Sequence, residues 1–209
     1  MIFGDRTDWE DYFDQQLVPV VLGYVLTTWE QMPKPGFSEH EDAISNKLYK
    51  ALLNGKERNG HPFSIHREYM EFDLELGKGI GRIDIVFLPG TKEDIYLAIE
   101  AKRLNATISG KKHSLAGEYV NDGMQRYIDG KYARSVKHGV MLAYVLDGKI
   151  EQAMSAIENS IKKYHEKLSV RSDVFIASAI RPQDSRTKET HHQRKHEKTI
   201  FRLHHLFVA

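Results

Sequence analysis

The predicted fold depends most on two stretches of the sequence, Gly81-Arg82-Ile83-Asp84-Ile85-Val86 and Ile99-Glu100-Ala101-Lys102. Both are short and mainly apolar, which is typical of β-strands. Together, however, they carry two carboxylates and an ammonium group. Charged side chains within apolar strands are costly unless they pair with one another or bind a metal ion. The two stretches therefore indicate a functional cluster on a sheet.

Strand geometry brings the three charged side chains together. Glu100 and Lys102 are two residues apart, so they share one face of the sheet at a spacing of roughly 7 Å. If the connection between the strands turns about Lys92, Asp84 lies opposite Glu100, with the two Cβ atoms about 5 Å apart. A slip of one residue or a bulge would remove this pairing. With the pairing intact, one divalent cation contacts both carboxylates.

A buried salt bridge is the alternative interpretation of the same residues. Lys102 can neutralise Glu100 or Asp84, but one pair does not account for two acids. We therefore favour a divalent-cation site beside a cationic group, which is the apparatus for phosphodiester hydrolysis. The other positions on both strand faces are apolar, which predicts a sheet covered on both sides.

The remaining pattern predicts an α/β protein. A helix that begins at an N-cap Ser38 and stops at Gly55 precedes three strands, which short turns make antiparallel. A helical crossover then predicts a parallel pair of strands, 95–104 with 139–146. The predicted elements are helix 38–54, strands 63–72, 81–88 and 95–104, helix 116–133, strand 139–146, helix 149–168, and strands 173–180 and 199–208.

This order of elements and these acids resemble the PD-(D/E)XK nuclease superfamily, which has the restriction-endonuclease-like fold. Asp84 matches its first acidic position, Glu100-Ala101-Lys102 matches its E-X-K motif, and Ile83 replaces the proline of its name. The resemblance covers about residues 38–147. It implies an αβββαβ core with a mixed central sheet and helices on both faces, extended by an N-terminal helix and C-terminal strands.

The resemblance also implies the activity, a Mg²⁺-dependent endonuclease that hydrolyses DNA, with Mn²⁺ able to substitute. Asp84, Glu100 and the backbone carbonyl of Ala101 would hold the metal, and Lys102 would orient the attacking water or offset charge in the transition state. Glu41 would be a further ligand, because its helical phase points inward. A capping-box role for Glu41 is the alternative.

Three other readings of the function stay open at this stage. The fold can serve as a non-cleaving nucleic-acid-binding or scaffold module, and the substrate can be RNA or branched DNA instead of duplex DNA. By resemblance alone, an effector of restriction or anti-phage defence is expected. A chain with little beyond the core predicts a homodimer, with residues 8–32 as candidate interface, or a subunit of a larger defence or repair complex.

The predicted organisation is a single nuclease domain over residues 1–209. Residues 1–32 form a helical extension, 38–147 the catalytic core, and 148–209 a helix, a basic loop and strands. The first helix, 8–32, is expected to kink at Pro19 and to pack on the core more readily than on a second copy.

Charge is unevenly distributed along the chain. Residues 1–100 hold 10 Lys and Arg against 18 Asp and Glu, a net −8, whereas residues 101–209 hold 20 against 11, a net +9. The basic half either faces a polyanion or neutralises the acidic half. Candidate nucleic-acid contacts are Gln125, Lys131, Arg103, Arg194 and Lys195, although Gln125 is equally well explained as a surface residue.

The basic, histidine-rich segment 181–205 has three interpretations. It is a solvated loop, a phosphate-contacting arm or, less readily for want of ligand spacing, a zinc site. His204 and His205 follow in an alternating strand, so one of the two is expected to face the core.

Composition adds several exclusions. The sequence is 41% hydrophobic and has no cysteine, which excludes disulfides and thiolate metal sites. The longest apolar run, Leu17–Leu26, is too short to span a bilayer, and the acidic residues before it do not fit a secretory signal. We therefore expect a soluble, cytoplasmic protein without a membrane partner.

Overall fold

A computed structural model describes residues 13–73, 77–90, 95–195 and 199–209. One π-helical turn, Phe13–Leu17, leads into the first α-helix. The helices are α1 (Val18–Gln31), α2 (Glu41–Asn59), α3 (Ala116–Glu118, continuing through the π-helical Tyr119–Met124 to Gln125–Ile128) and α4 (Ile150–Lys163). The strands are β1 (Ser64–Asp73), β2 (Lys78–Leu88), β3 (Leu97–Leu104), β4 (Ala106–Ile108), β5 (Lys111–His113), β6 (His138–Val145), β7 (Ile176–Ala177), β8 (Thr187–His192) and β9 (Phe201–Val208).

Seven strands form one mixed sheet in the order β1-β2-β3-β6-β9-β8-β7, and β4 and β5 form a separate hairpin. The first three strands are antiparallel, as their short connections predict. β3, β6 and β9 are parallel, which confirms the predicted parallel pairing across the α3 crossover. β8 and β7 extend the sheet in antiparallel fashion. The prediction of an α/β fold with a mixed sheet is confirmed.

Helices cover both faces of the sheet, as the apolar strands predict. On one face, Tyr144 of β6 stacks on Trp29 of α1 and hydrogen-bonds Ser45 of α2. Met141 is three positions earlier on β6 and faces the other side, where it meets Gly123 of α3. An added Cβ at Gly123 would lie 2.4 Å from Met141 Cε, so glycine lets α3 approach the sheet closely.

The register that brings the acids together is observed. Ile85 pairs with Ile99, Val86 with Ala98 and Phe87 with Leu97, which is the pairing that a turn about Lys92 predicts. The turn itself, 91–94, lies outside the described residues. A bulge is present between Glu71 and Phe72 in the β1–β2 ladder, away from these pairs.

The first helix packs within the chain. Pro19 lies in the first turn of α1 instead of its middle, so it begins the α-helix and does not kink it. The apolar face of α1, including Val21, Val25 and Trp29, is buried. The suggestion that residues 8–32 form a dimer interface is therefore wrong for this face, while residues 8–12 lie outside the described part of the chain.

The second helix begins and ends later than predicted. His40, not Ser38, occupies its N-cap position, and the helix runs past Gly55 to Asn59. Gly60 supplies the left-handed conformation that ends it, with φ of 62°. Gly55 instead makes room for Tyr24, whose hydroxyl would lie 2.6 Å from an added Cβ.

Three other predicted boundaries are corrected. Helix α3 ends at Ile128 and not at 133, because Gly130 adopts a left-handed conformation and its N–H bonds the Tyr127 carbonyl. Helix α4 ends at Lys163 and not at 168, and the strand predicted over 173–180 shrinks to Ile176–Ala177. Within the described residues, no helix is long and apolar enough to cross a membrane.

Within the histidine-rich segment, residues Thr187–His192 form a strand inside the sheet and are not a solvated loop or an arm. β8 lies between β7 and β9, with His192 buried. Both His204 and His205 are buried, on opposite faces of β9, and both are hydrogen-bonded. Residues 196–198 lie outside the described part of the chain, and in the rest no cluster of three metal-ligating side chains supports zinc.

Arg194 was predicted to contact nucleic acid, and its burial corrects that prediction. The side chain is 3% exposed, its Nη1 and Nη2 donate to the carbonyls of Ala133 and Val136, and its guanidinium stacks on Phe201. A guanidinium held in this way joins the loop after α3 to β9 and cannot also reach a phosphate.

We expect Arg194→Met to lower the free energy of unfolding by about 2 kcal/mol, because two buried carbonyls lose a charged donor. Chemical denaturation followed by circular dichroism measures the change. The matched control is Lys195→Gln at the exposed neighbour, which should change stability by less than about 0.5 kcal/mol. Equal effects of the two substitutions would contradict the structural role of Arg194.

Candidate active site

The ammonium of Lys102 is the centre of the charged cluster. Its Nζ lies 2.9 Å from an oxygen of Glu41, 2.9 Å from an oxygen of Glu100 and 3.1 Å from the carbonyl oxygen of Ala101. Burial lowers the pKa of Lys102, but Glu100 and Glu41 outweigh burial, and the pKa is raised overall. Lys102 therefore stays protonated at neutral pH and acts as a hydrogen-bond donor and a fixed positive charge.

Asp84 lies where the β2–β3 ladder opens. The last paired residues toward the cluster are Ile85 and Ile99. Beyond them, Oδ2 of Asp84 accepts the N–H of Ala101 at 2.8 Å, in the place of a strand carbonyl. Burial raises the pKa of Asp84, and the Ala101 N–H and Lys102 offset part of that rise. The aspartate is thus held against β3 by the backbone of the E-X-K segment.

Glu100 is the most deeply buried member of the cluster, at 1% exposed. Its Oε1 contacts both Lys102 and Arg126 at 2.9 Å, whereas its Oε2 is buried and has no hydrogen-bond partner among the described residues. Burial, together with the nearby charge of Asp84, raises the pKa of Glu100 to about 7. One oxygen of this carboxylate is therefore available to a ligand.

Glu41 begins α2 and connects that helix to β3. Its Oε1 accepts from Lys102 Nζ, and its Oε2 accepts the backbone N–H of Arg103 at 2.9 Å. The capping-box alternative is wrong, because Ser38 is not the N-cap of this helix and Glu41 points to the strand. The ligand role of Glu41 stays a prediction.

Three residues of the cluster were not predicted from the sequence: Arg126, Tyr132, and Arg67 of β1, whose Nη1 lies 3.6 Å from Oδ1 of Asp84. Arg126 of α3 donates to Glu100 Oε1 and to the hydroxyl of Tyr132, and that hydroxyl donates in turn to the carbonyl of Arg82 on β2. Nothing in regular helical periodicity singles out Arg126, because the π-helical Tyr119–Met124 shifts the phase of α3 immediately before it.

Gly81 allows Tyr132 to reach its partners. An added Cβ at Gly81 would lie 2.4 Å from Cε1 of the Tyr132 ring and 3.2 Å from the carbonyl oxygen of Lys131. The glycine at the start of the Gly81–Val86 stretch thus lets the loop after α3 pack directly on β2, which fixes Tyr132 and, through it, Arg126.

The cluster lines a cavity of about 390 Å³. Of the predicted site residues, the cavity brings together Glu41, Asp84, Glu100 and Lys102, with Lys131 on its wall. Other cationic side chains lining it are Arg82 and Arg126. Asp42 also lines the cavity, so four carboxylates and four cations of the described residues face it, and a bound divalent cation would give it the net positive charge that suits an anionic substrate.

The remaining predicted nucleic-acid contacts lie elsewhere. Gln125 and Lys195, with the buried Arg194, line a second and larger cavity that also includes Lys131. Arg103 lines neither of these two cavities. It is next to Lys102 on β3 and therefore points to the opposite face of the sheet, where its Nη1 donates to the carbonyl of Glu39 at 3.3 Å. Arg103 therefore supports the approach to α2.

The donors around Glu100 suit a hard divalent cation, which prefers carboxylate and carbonyl oxygens. The fit to a metal is supported by Oε2 of Glu100, a buried carboxyl oxygen without a partner among the described residues, in a cavity that Asp84 and Glu41 also line. No preformed group of three metal-ligating side chains occurs within the described residues, and Lys102 lies between Glu41 and Glu100. The residues fit a metal if the ammonium gives up one of these contacts.

No protein-family model, curated protein or solved structure matches this chain. The contacts of Asp84, Glu100 and Lys102 are therefore the basis for assigning the chemistry of the site.

Proposed function

We propose that this chain is a metal-dependent endonuclease that hydrolyses phosphodiester bonds of DNA on a PD-(D/E)XK, restriction-endonuclease-like core. The observation that carries the proposal is the convergence of Asp84, Glu100 and Lys102 on one cavity, with Glu100 Oε2 buried and without a partner. A purely structural ion cluster would be expected to leave no such oxygen unpaired.

Asp84 and Glu100 would hold Mg²⁺ or Mn²⁺, with the Ala101 carbonyl and Glu41 as further donors. When bound, such an ion polarises the scissile phosphate and makes a water more acidic. The chain supplies the positions: the N–H of Ala101 fixes Asp84, and Arg126 fixes Oε1 of Glu100 while Oε2 stays free.

Lys102 would stabilise the charge that develops on the phosphate. Its raised pKa keeps it protonated, so it donates hydrogen bonds to the attacking water or to a phosphate oxygen and does not serve as a general base. Arg126 and Lys131 line the same cavity and add positive charge near the substrate. This electrostatic contribution is the part of catalysis that the protein itself provides.

The direct test is cleavage by the purified chain. Labelled duplex DNA, single-stranded DNA, RNA and a branched junction are incubated with Mg²⁺, Mn²⁺ or EDTA. We expect cleavage of duplex DNA with either metal, none in EDTA, and at least a tenfold lower rate for Asp84→Asn, which removes one anionic ligand. The matched control is Asp122→Asn, which removes an exposed carboxylate of α3 and should leave the rate unchanged.

A non-cleaving nucleic-acid-binding module is the second candidate. The observation that favours it is that Lys102 contacts two of the three carboxylates and so partly neutralises the cluster without a metal. Binding of nucleic acid without cleavage of any substrate, with either metal, would support this candidate and contradict the nuclease. Preferential cleavage of RNA or of the junction would support the proposed hydrolysis but assign it to a different substrate.

We also propose self-association or membership in a larger complex, for example in restriction or anti-phage defence. The buried face of α1 is not the contact. Light scattering of the purified chain distinguishes a dimer from a monomer, and a monomer at micromolar concentration would contradict the homodimer.

A further inference from the structure

A second cavity continues from the catalytic one. It is about 1240 Å³ in volume, and it shares Ile80 and Lys131 with the catalytic cavity. Its walls come from the start of β2, from the end of α3 and the loop after it, and from the segments around Lys167 and Lys195. We call this cavity the lysine groove. Because the two cavities share a wall, a long ligand in one extends naturally into the other.

The lysine groove carries positive charge that has no ion-pair partner in the part of the chain that the structure describes. Lys78, Lys131, Lys167 and Lys195 line it, all four are exposed, and none has a carboxylate partner within the described residues. Three described acids share the same walls: Asp73 is engaged by Arg134, Asp129 accepts a hydrogen bond from Gln125, and Glu166 is exposed, so the four lysines and two arginines still outnumber the acids. Exposed lysines that lack a partner acid are free to neutralise phosphates and release their counterions.

Gln125 presents a hydrogen-bond acceptor in the wall of this groove. The residue is 8% exposed, and its Nε2 donates to Asp129 Oδ1 at 2.7 Å. Because the carboxylate only accepts, the amide nitrogen has to face Asp129, which fixes the orientation of the side chain. Its Oε1 is buried and has no partner among the described residues. A buried acceptor of this kind takes its donor from water or from a ligand.

We infer that the lysine groove binds the sugar-phosphate backbone of the strand that enters the catalytic cavity, and that Gln125 accepts a hydrogen bond from a donor on the bound nucleotide. The donor is an N–H of a base or a 2′-hydroxyl, since both offer the hydrogen that Oε1 lacks. The inference rests on the proposed function for the identity of the ligand, but it assigns binding to a surface outside the catalytic cluster.

The lysines are tested by binding without chemistry. Fluorescence anisotropy measures the affinity of the full chain for a labelled DNA 20-mer in EDTA over a range of salt concentrations. We expect the triple variant Lys78→Gln, Lys167→Gln, Lys195→Gln to bind at least tenfold more weakly. We also expect its salt slope to fall by about 2 to 3, since each phosphate contact contributes roughly 0.7 to 0.9.

The matched control changes three exposed lysines that line neither cavity, Lys50→Gln, Lys111→Gln and Lys149→Gln. It should keep the affinity within about twofold if contacts in the groove dominate. Equal losses of DNA affinity in the two triple variants, or no loss in either, would overturn the proposal that the groove binds the backbone. Thermal melting of both variants verifies that they are folded.

The role of Gln125 is tested with Gln125→Leu, which removes the acceptor and replaces the amide with an apolar side chain of similar size. The ligands are a DNA strand, an RNA strand and abasic DNA. Roughly tenfold weaker binding of both DNA and RNA, with abasic DNA unchanged, identifies a base N–H as the donor. Weaker binding of RNA alone identifies the 2′-hydroxyl. Unchanged binding of all three ligands would overturn the role of Gln125.

These binding measurements distinguish a failure of the proposed groove from a failure of the proposed nuclease activity. A chain that cleaves in an Asp84-dependent way, yet binds equally well without the groove lysines, keeps the proposed function and loses the groove. A chain that never cleaves, yet loses affinity only in the groove variant, keeps the groove as a nucleic-acid surface and loses the nuclease.

Discussion

Lys102→Met should lower the rate of DNA cleavage by about 10²- to 10³-fold, the effect expected when one preorganised donor to a developing negative charge is removed. Methionine keeps most of the apolar stem and removes only the ammonium. Because Lys102 does not ligate the metal in this account, single-turnover rates at saturating Mn²⁺ should fall while the Mn²⁺ affinity is retained.

Two controls make the Lys102 result interpretable. Lys50→Met, at an exposed position of α2, should leave the rate unchanged. Thermal melting with and without Mn²⁺ is needed, because removing the ammonium leaves Glu41 and Glu100 without their shared cation, which costs a few kcal/mol in the metal-free protein. A folded Lys102→Met protein that cleaves within tenfold of wild type would contradict the electrostatic role.

Glu100→Gln should have opposite effects on metal binding and on stability. The amide oxygen can replace Oε1 as the acceptor for Lys102 and Arg126, while the amide nitrogen replaces the unpaired Oε2. A neutral amide is a poor ligand for a hard cation, so we expect Mn²⁺ affinity to fall by at least tenfold. Cleavage should be lost with it.

Stability of the metal-free Glu100→Gln protein should exceed that of wild type at alkaline pH. The pKa of Glu100 rises from 4.5 to about 7 on folding, so the folded state favours the protonated acid. The stability from this group is fully present below pH 4.5 and is lost as pH rises through 7. At pH 8 the variant should be more stable by on the order of 2 kcal/mol, and at pH 4 the two should be alike.

Chemical denaturation in EDTA at pH 4 and pH 8 measures this difference. Glu118→Gln, an exposed glutamate of α3, is the matched control and should show no pH-dependent gain. A wild-type protein that is as stable as Glu100→Gln at pH 8 would show that ionised Glu100 is not strained by burial. In that case ionised Glu100 would not destabilise the metal-free protein, and a bound cation would have no such destabilisation to relieve.

The sequence predicted the site well where period-2 strand geometry controls it. Alternation places Glu100 and Lys102 on one face, and the register expected for a turn about Lys92 is the one observed between β2 and β3. Helical phase predicted the inward direction of Glu41 for the same reason, since the first turn of α2 is regular. The order of strands across β3 and β6 followed from the α3 crossover.

Local sequence patterns did not predict the structure where tertiary contacts override them. The π-helical stretch of α3 breaks the 3.6-residue period, so Arg126 could not be placed. The composition of β8 is polar and histidine-rich, and its burial depends on hydrogen bonds to residues distant in sequence, such as those of Thr190 with His205 and of His192 with the carbonyl of Leu168. Arg194 looks like a surface cation until its two carbonyl partners are known.

In the proposed mechanism, Asp84 and Glu100 hold one divalent cation beside Lys102. Binding of this cation is measured by titrating the metal-free protein with Mn²⁺ and following the free ion by electron paramagnetic resonance. We predict one saturable site in wild type and in Lys102→Met, and loss of that site in Asp84→Asn and Glu100→Gln. Equal Mn²⁺ binding by wild type and Asp84→Asn, or no binding by wild type, would contradict the proposed mechanism.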